Sequence, residues 1–311
     1  MKVLVTGGGG FIGSHIVDRL LADGHDVRVL DNFATGRREN LLGVLSEIDV
    51  VEGDIQSYER VHNAVAGCDV VLHQAALPSV PRSVQDPLTS NATNVTGTLN
   101  LLLAARDSGV RRVVYASSSS IYGANPELPK REELLPQPIS PYAVAKLAGE
   151  GFCRSFNEVF GLETVALRYF NVFGPRQDPL SQYAAVIPNF ITALLEGRPP
   201  VVFGDGEQSR DFTYVGNVVE GNVLAMTAEG AAGKTLNMAA GDRTTLNQLL
   251  DHLRRLIGSD VEPRYEPTRL GDVKHSQADV SAAERVLGFR PLVSVEEGLR
   301  LTLDWFRRSP A

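Results

Sequence analysis

Tyr142 and Lys146 stand four residues apart at the start of a helical pattern, in the sequence Tyr-Ala-Val-Ala-Lys. Residues at positions i and i+4 share one face of a helix, so the phenol and the ammonium point the same way. A free tyrosine has a pKa near ~10, but a neighbouring positive charge favours its phenolate. Tyrosine then becomes a general base for a hydroxyl proton. Because Tyr-x-x-x-Lys alone is common on helix surfaces, the interpretation depends on the surrounding elements.

Four consecutive serines, residues 117–120, follow the apolar strand pattern at residues 113–116. Open α/β sheets bind ligands at the carboxyl ends of their parallel strands. The serines are therefore either a loop cap or a hydrogen-bonding site for a substrate hydroxyl. A hydrolase nucleophile is excluded, since the chain has no G-x-S-x-G elbow around them.

A glycine-rich turn, residues 7–13, lies between a strand pattern at residues 2–6 and a helix pattern at residues 11–23. Glycine permits the tight turn, lets the backbone approach a pyrophosphate, and lets the helix pack on the strand. The free N–H groups and the dipole at the helix N-terminus then attract the phosphates. Strand, glycines and helix in this order predict a dinucleotide site.

Asp31 ends the second strand pattern, about 20 residues after the last glycine of the turn, where an acid accepts hydrogen bonds from the adenosine ribose. A carboxylate there repels a 2′-phosphate, so the cofactor is predicted to be NAD rather than NADP. Arg37 and Arg38 lie nearby and are interpreted as solvated. Asp54 is assigned to the adenine side of the cofactor, with a helix N-cap before Ser57 as the alternative.

Short β-rich runs alternate with longer amphipathic stretches through the first half of the chain. Strands are predicted at residues 2–6, 27–30, 50–52, 70–73, 112–116 and 164–168, with helices at 91–108 and 142–160 among others. This alternation predicts an α/β fold with a Rossmann-type, doubly wound parallel sheet.

Beyond Gly174 the rhythm changes, and prolines punctuate the chain. We therefore predict two domains. Residues 1–174, with segments returning from the C-terminal half, form the dinucleotide-binding domain. Residues 175–311 form a smaller α/β substrate-binding domain, with a docking helix at residues 295–307.

Composition narrows the class of protein. The formal charge is −7, so no nucleic-acid partner is expected. No stretch approaches ~20 apolar residues, so no membrane partner is expected, and the first apolar run is too short for a signal peptide. Two isolated cysteines, Cys68 and Cys153, are typical of a reducing cytoplasm. The six histidines show no metal-ligand spacing.

Four motifs carry a family resemblance over nearly the whole chain. Thr-Gly-Gly-x-Gly-Phe-Ile-Gly-Ser, Ser-Ser-Ser-x-Tyr-Gly, Ser-Pro-Tyr-x-x-x-Lys and Leu-Arg-Tyr-Phe-Asn-Val-Phe-Gly stand at residues 6–14, 118–123, 140–146 and 167–174. The chain resembles the extended short-chain dehydrogenases/reductases of the NAD-dependent epimerase/dehydratase family, and in particular the UDP-hexose 4-epimerases. Further segments resemble the UDP-N-acetylglucosamine 4-epimerases, at residues 73–83, 90–94, 176–179, 184–188, 204–211 and 271–276.

The resemblance implies a reversible C4 epimerisation of a UDP-sugar with tightly bound NAD. Ser118 is expected to hydrogen-bond the sugar 4-hydroxyl, Tyr142 to take its proton, and Lys146 to bind the nicotinamide ribose and lower the tyrosine pKa. Cofactor contacts are implied for Gly7, Gly10, Phe11, Ile12, Gly13, Asp31, Asn32, Asp54, Ile55, Gln74, Ala75, Ala76, Asn94, Ser117, Tyr142, Lys146 and Tyr169.

The same resemblance implies roles on the substrate side. Arg210 and Arg269 are expected to hold the diphosphate, for which a planar guanidinium is well suited. Asn171 is expected near the diphosphate and Asp272 at the uridine ribose. Substrate contacts are implied for Ser79, Ser118, Ser119, Asn171, Ala185, Val186, Phe203, Arg210, Arg269, Asp272 and Ser276.

Ser276 is the predicted specificity residue. It aligns with a position that is tyrosine in strict UDP-glucose epimerases and small in enzymes that accept N-acetyl sugars. UDP-GlcNAc and UDP-GalNAc are therefore the expected substrates, with activity on UDP-Glc and UDP-Gal. Pro78 stands where an N-acetyl-preferring relative has glycine, which stiffens the loop beside the sugar.

Several alternatives stay open on sequence alone. A strict UDP-glucose 4-epimerase or a UDP-glucuronate 4-epimerase needs the same three catalytic residues. Dehydratases and decarboxylases of this fold carry an acid beside the catalytic hydroxyl, and serine stands there instead. A catalytically silent NAD-binding protein is less favoured, because such proteins usually lose the tyrosine or the lysine. The resemblance also implies a homodimer, through a four-helix bundle of the helices at 91–108 and 142–160.

Overall fold

The computed structural model describes residues 1–178, 185–268 and 274–308. Strands and helices alternate through the first 174 residues. In chain order they are β1 (Lys2–Thr6), α1 (Phe11–Ala22), β2 (Asp26–Asp31), β3 (Ile48–Glu52), α2 (Tyr58–Val65), β4 (Val70–His73), α3 (Val80–Gln85), α4 (Pro87–Asn91), α5 (Gly97–Asp107), β5 (Arg112–Ser118), α6 (Pro141–Phe160), β6 (Glu163–Tyr169) and β7 (Val172–Phe173).

The later part of the chain mixes longer helices with very short strands. In chain order these elements are α7 (Val186–Leu195), β8 (Val201–Phe203), β9 (Ser209–Arg210), β10 (Thr213–Tyr214), α8 (Val215–Thr227), β11 (Lys234–Met238), β12 (Thr244–Thr245), α9 (Leu246–Ile257), β13 (Arg264–Glu266), α10 (Ser281–Leu287) and α11 (Val295–Arg308). No helix in the described ranges is long and apolar enough to span a bilayer.

Seven parallel strands form the central sheet, in the order β3-β2-β1-β4-β5-β6-β11. The strand order reverses between β1 and β4, and this switch point opens a crevice at the carboxyl ends of the strands. The prediction of a Rossmann-type, doubly wound sheet is therefore confirmed. The last strand, β11, comes from the C-terminal half, while the division into domains at residue 174 stays a prediction.

Two apolar cores cover the two faces of this sheet. Val3 and Val5 face one core and Leu4 faces the other, because successive side chains of a strand point to opposite faces. Helices α1 and α8 close the first face, and α2, α5 and α6 close the second. A third core lies among α7, α9 and α11 and includes Phe190 and Leu303. The catalytic candidates thus stand on the buried strand β5 and on α6, whose inner face packs against the sheet.

The predicted helix at residues 91–108 is observed as α4, a π-helical turn at Ala92–Thr96, and α5. It begins earlier than predicted because the side chain of Asp86 accepts a hydrogen bond from the Thr89 N–H at 3.0 Å, and Pro87 occupies the first turn. The π-helical turn buries Asn94 against the loop that follows β4. Turns of this kind are frequent at functional sites.

Candidate active site

The turn between β1 and α1 admits only glycine at two positions. Gly7 has a φ of 71°, and a side chain there would lie 2.7 Å from the backbone nitrogen of Ala75. At Gly13 a Cβ atom would lie 2.1 Å from the Gly7 carbonyl oxygen. These two glycines let α1 pack directly against β1 and keep the first turn of the helix close to the crevice.

Helix α1 begins at Gly10 without a side-chain cap, and its first turn holds no acidic residue. Its first N–H groups are therefore left for an anion, and Phe11 and Ile12 stand partly exposed beside them. A glycine cradle below an uncapped helix N-terminus fits the pyrophosphate of a dinucleotide, as predicted.

Asp31 lies at the end of β2, and the backbone N–H groups of Gly9 and Phe33 each donate a hydrogen bond to its carboxylate at 2.8 Å. Burial raises the pKa of Asp31 from its ordinary value, and these two N–H groups oppose the rise. Arg37 and Arg38 are solvated, as predicted, and they also form surface ion pairs with Asp178 and Glu52. Both arginines are thereby engaged by carboxylates.

Asp54 lies beside Asn32, whose amide donates a hydrogen bond to it at 2.8 Å. The alternative role of Asp54 as a helix cap is wrong, because Ser57 caps α2. The side chain of Ile55 is buried beneath α5, next to Gly97, so only its backbone is placed to meet an adenine.

Gln74 and Tyr169 meet in a buried polar cluster beside the crevice. The Tyr169 hydroxyl donates to the Gln74 side chain at 3.1 Å, and the Gln74 amide donates to Asn222 of α8, also at 3.1 Å. Sequence reasoning missed Asn222, because nothing local to α8 distinguishes it, and it lies 148 residues from its partner. These contacts fix the side chains of Gln74 and Tyr169, two predicted cofactor residues, within the protein itself.

His73 anchors a hydrogen-bond chain across the switch point. Thr98 donates to the Asn94 carbonyl at 2.8 Å and so accepts from Nε2 of His73 at 3.1 Å. Nδ1 of His73 then accepts from Thr6 at 2.7 Å, and Thr6 accepts from the Ala75 N–H at 3.2 Å. Burial lowers the pKa of His73 to about 3, so the ring is neutral.

Asn94 holds the loop after β4 from below. Its side-chain oxygen accepts from the Leu77 N–H at 2.8 Å, and its amide donates to the Leu77 carbonyl at 3.0 Å. The side chain of the predicted cofactor residue Asn94 is therefore hydrogen-bonded to the loop. Ala75 and Ala76, which the loop carries, are presented at the mouth of the crevice by this support.

The N-terminus of helix α6 is fixed by capping residues in its own sequence. The Ser140 hydroxyl accepts a hydrogen bond from the Ala143 N–H at 3.2 Å, and Pro141 occupies the first turn. Tyr142 is consequently in the first turn and Lys146 one turn further on the same face. The Ser83 hydroxyl, on α3, accepts from the Tyr142 N–H at 3.1 Å and ties the two helices together.

Ser118 ends β5 beside Tyr142, and its hydroxyl works against the rise in the pKa of the phenol that burial causes. The Ser118 oxygen also accepts from the Ser120 N–H at 3.2 Å, which starts the 3₁₀ turn Ser119–Tyr122. Within the described residues, the buried hydroxyl of Ser120 has no hydrogen-bond partner. The strand end thus brings together Ser118 and Tyr142, the two hydroxyls that the sequence predicted to act on one substrate.

Lys146 is 3% exposed, and its ammonium donates to the Ala116 carbonyl at 2.7 Å. The ammonium lies 5.9 Å from the centre of the Tyr142 ring. Burial lowers the pKa of Lys146 to about 8 and raises the pKa of Tyr142 to about 12. Desolvation of the phenol thus opposes the expected lowering of the tyrosine pKa.

Ser117 is predicted to contact the cofactor, but its side chain points away from the crevice. Its hydroxyl donates to Glu150 of α6 at 2.5 Å, and it is 3% exposed. The reason is the alternation of the strand, which sends Ser117 and Ser118 to opposite faces of the sheet. Only its backbone remains available to a cofactor.

A cavity of about 280 Å³ lies in the C-terminal half, beside β7, β8 and the start of α7. Five predicted substrate residues line it: Asn171, Ala185, Val186, Phe203 and Arg210. Sequence reasoning missed further lining residues, among them Val201, Gln208, Phe212 and Leu246. The mixture of aromatic walls with an amide and a guanidinium suits a planar base attached to a phosphate.

Two predicted substrate residues have left-handed backbone. Ser79 has a φ of 96° and Asn171 a φ of 26°. Ser79 caps α3 by accepting from the Arg82 N–H at 3.3 Å, and the Asn171 carbonyl accepts from Thr213 at 3.2 Å. Strain of this kind persists where surrounding contacts over-determine the backbone, and it is common at ligand sites.

Ser276 is held against the strand that carries Arg210. Its N–H donates to the Ser209 carbonyl at 3.0 Å, and Arg210 donates to the carbonyls of Ser209 and Lys274. Behind them, fully buried Asp211 accepts from three backbone N–H groups, one of which belongs to the segment following Ser276. The predicted ligands Arg269 and Asp272 lie outside the described residues.

The sheet, the glycine cradle and the paired Tyr142 and Lys146 together define an NAD-binding enzyme of the extended short-chain dehydrogenase/reductase class. A model of the NAD-dependent epimerase/dehydratase family matches residues 3–239. The chain belongs to this family. The predicted family and the predicted cofactor, NAD, are thereby confirmed, and the enzyme is of the UDP-sugar epimerase/dehydratase type.

Individual relatives are similar over their full length. A UDP-glucose 4-epimerase of Mycolicibacterium smegmatis is 40% identical over 99% of both chains. The structure of a UDP-N-acetylglucosamine 4-epimerase from Methanobrevibacter ruminantium, in complex with UDP-N-acetylmuramic acid, is 43% identical with a TM-score of 0.95, over 99% of this chain and 98% of that one. A UDP-glucuronic acid 4-epimerase from Bacillus cereus, in complex with UDP-glucuronic acid and NAD, is 33% identical with a TM-score of 0.92 over 99% of both chains.

Proposed function

We propose that this enzyme interconverts the C4 epimers of a UDP-hexose, with UDP-GlcNAc and UDP-GalNAc as the preferred pair and UDP-Glc and UDP-Gal as slower substrates. The observation that carries the proposal is the placement of Ser118, at the end of β5, beside Tyr142 in the first turn of α6, with Lys146 one helical turn away. Two hydroxyls at the carboxyl edge of the sheet are suited to move one proton on and off a sugar hydroxyl.

The chain's own residues handle the proton. Ser118 orients the sugar 4-hydroxyl toward Tyr142, and Tyr142 accepts the proton on its phenolic oxygen and later returns it. Lys146 stays charged below its pKa of about 8, and so favours the phenolate from the same helix face. A bound NAD would supply the hydride chemistry at C4 of the sugar, and its positive ring would oppose the rise in the pKa of Tyr142 that burial causes.

The glycine cradle, Asp31 and the loop after β4 would hold NAD. Asp31 offers its carboxylate to the adenosine ribose, and the first turn of α1 offers N–H groups to the pyrophosphate. Arg37 and Arg38 already pair with carboxylates, which supports NAD over NADP. On the substrate side, Arg210 would hold the diphosphate and the cavity around Phe203 the uracil.

Ser276 supports the preference for an N-acetyl sugar, because a small side chain leaves room for a 2-acetamido group. Strict UDP-glucose epimerisation and UDP-glucuronate epimerisation remain the alternative substrates for the same catalytic residues. A dehydratase or decarboxylase role is less favoured, since Ser119 and not an acid follows Ser118. A silent NAD-binding role is less favoured because both Tyr142 and Lys146 are present and aligned.

We also propose that two copies pair through α4, α5 and α6. On α6, exposed Val144 is followed at helical spacing by Ala148, exposed Gly151 and exposed Ser155. Small residues let a second helix approach closely. On α4, Leu88 is 83% exposed, and partly exposed apolar side chains continue the stripe along the helical pieces. Such an apolar face is costly to leave in water.

The substrate proposal is tested by incubating the purified enzyme separately with UDP-GlcNAc and with UDP-Glc, without added NAD, and following the sugar anomeric protons by NMR. Faster accumulation of UDP-GalNAc supports the N-acetyl assignment and the role of Ser276. Formation of UDP-Gal alone overturns that assignment and indicates that the stiff loop at Pro78 closes the pocket. If neither sugar turns over with NAD supplied, the proposed substrates are wrong, and UDP-glucuronate is the next to measure.

A further inference from the structure

A buried ion pair lies directly behind the catalytic lysine. Glu150 follows Lys146 by one turn of α6, and Arg168 of β6 binds its carboxylate with two hydrogen bonds of 2.9 and 2.8 Å. Glu150 is 7% exposed and Arg168 4% exposed. The hydroxyl of Ser117 completes the carboxylate's coordination at 2.5 Å. Three elements, α6, β5 and β6, are thus tied together beneath the catalytic residues.

Arg168 extends the same network to the neighbouring edge strand β11, where Asn237 is its register partner. Its guanidinium donates to the Tyr122 hydroxyl at 2.9 Å, and Tyr122 donates to Asn237 of β11 at 2.7 Å. Asn237 in turn donates to two backbone carbonyls, those of Lys130 and Asp279. The guanidinium is therefore fixed from both ends and has no freedom to leave Glu150.

The arrangement decides how much positive charge acts on Tyr142. Glu150 and Lys146 occupy one face of α6 at the i and i+4 spacing, close enough for the carboxylate to attract the ammonium. An unpaired carboxylate there would offset the charge of Lys146 at the phenol. The guanidinium of Arg168 neutralises it through two hydrogen bonds.

We propose that Arg168 and Glu150 are positioning residues that act through Lys146: Arg168 neutralises Glu150 so that the full charge of the lysine is directed at Tyr142. The pair also fixes the end of β5, which carries Ser118, relative to α6. This inference rests on the proposed function for its catalytic meaning, but the charge on Lys146 is measurable without turnover.

The titratable and charged groups on the elements packed around Lys146 determine what else can shift its pKa. On α6 itself they are Tyr142, Glu150 and Cys153; on β5 Tyr115; on β4 the neutral His73; and on β6 Arg168 through Glu150. Helix α3 carries the partly exposed Arg82, α4 begins at the exposed Asp86, and at the far end of α5 Arg106 pairs with Asp107. Glu150 is thus the one acid among those described that lies next to the lysine.

The test is a double-mutant cycle in which the pKa of Lys146 is measured by NMR. The chain has five lysines, so the enzyme labelled with [ε-¹³C]lysine gives few signals, and Lys146→Arg identifies that of Lys146. In Arg168→Gln the freed carboxylate should raise the pKa of Lys146 by about one unit, and in Glu150→Gln the freed guanidinium should lower it by about one unit. The double variant should return it close to wild type.

Activity provides the second readout, through the acidic limb of the kcat against pH profile. We expect Arg168→Gln to move this limb to higher pH and Glu150→Gln to move it to lower pH. The matched control is Arg112→Gln, which removes a partly buried ion pair with Glu163 at the opposite end of the same two strands. That variant should lose stability and leave both the lysine signal and the pH limb in place.

Equal pKa values for Lys146 in wild type and both single variants would overturn the inference and leave the pair a structural brace like Arg112 and Glu163. Breaking a buried ion pair is strongly destabilising. If a single variant fails to fold, the Lys146 pKa is measured in Arg168→Lys and in the double variant instead. Both should keep the Lys146 pKa within a few tenths of wild type. A shift of a full unit in either overturns the proposal, whatever sugar the enzyme epimerises.

Discussion

The cofactor edge of the sheet and the nucleotide-sugar cavity are built in different ways. Tyr142 and Lys146 are separated by one turn of a 20-residue helix, and Ser118 ends a strand with six buried residues. The cavity instead gathers residues from 171 to 246, on pieces such as β7 and β9 that are two residues long. In the proposed function the first region carries the reaction, and the second binds the nucleotide through side chains on short pieces of chain.

The comparison predicts its largest effect at the catalytic edge. Tyr142→Phe removes the proton acceptor while keeping the ring, so kcat should fall by about 10²- to 10⁴-fold with little change in stability. Steady-state kinetics on the best substrate measure it. Tyr58→Phe, at an exposed tyrosine that bonds Asp107, is the control and should behave like wild type. Near-normal turnover by Tyr142→Phe would contradict the proposal that Tyr142 accepts the proton of the sugar hydroxyl.

Asp211 connects the two regions and predicts a pH effect on stability. Burial raises its pKa to about 7. A raised pKa in the folded state gives stability that is present at low pH and lost as pH rises through 7. The free energy of unfolding of the wild type, measured relative to that of Asp211→Asn, should therefore fall by about 2 to 3 kcal/mol between pH 5 and pH 8.

Urea unfolding of the two proteins at both pH values measures the Asp211 effect. The difference in unfolding free energy between the wild type and Asp242→Asn, which keeps Asp211 and changes an exposed neighbour, should be the same at both pH values. The same difference between wild type and Asp211→Asn at both pH values would mean that the carboxylate is already ionised in the fold at pH 5.

Gly13→Ala tests the rigidity of the cofactor edge. A Cβ atom would lie 2.1 Å from the Gly7 carbonyl, so α1 must move away from β1, at a cost of about 1 to 3 kcal/mol and a weaker NAD site. Thermal unfolding and NAD titration check both effects. Gly43→Ala, where the added atom meets open space, should change neither. Unchanged NAD affinity in Gly13→Ala would contradict the role given to the turn.

Ser276→Tyr should have the smallest effect, because it alters one partly exposed side chain at the segment that pairs with Ser209. We expect the kcat/KM ratio of UDP-GlcNAc to UDP-Glc to fall by about tenfold, with UDP-Glc turnover and stability retained. Ser276→Ala keeps the space and should preserve the ratio. A ratio unaffected by tyrosine would place the acetamido group elsewhere.

Local spacing made much of the catalytic edge predictable. The glycine turn, the end of β2 at Asp31, and the Tyr142 and Lys146 pair are encoded within a few residues of each other or at strand ends, and the doubly wound sheet follows from the alternation of elements. The roles of the individual residues remain predictions. Their geometry is what the structure adds.

Other features were beyond local reasoning. The contacts of Gln74 with Asn222 and of Ser117 with Glu150 join residues far apart in the chain, and their side chains satisfy buried polar groups that no periodicity reveals. Ser117 also shows that a polar residue at a strand end does not by itself face the ligand. On the substrate side, Gln208 lay on no regular pattern and was missed.

The central claim is that hydride leaves C4 of the sugar and returns to the same carbon on the other face. UDP-GlcNAc carrying deuterium at C4 tests this directly, in unlabelled water, with the product read by NMR. The account predicts UDP-GalNAc that retains the deuterium at C4. Deuterium found at C6 of a product that has lost water, or a C4 epimer that has exchanged its label with solvent, would contradict it.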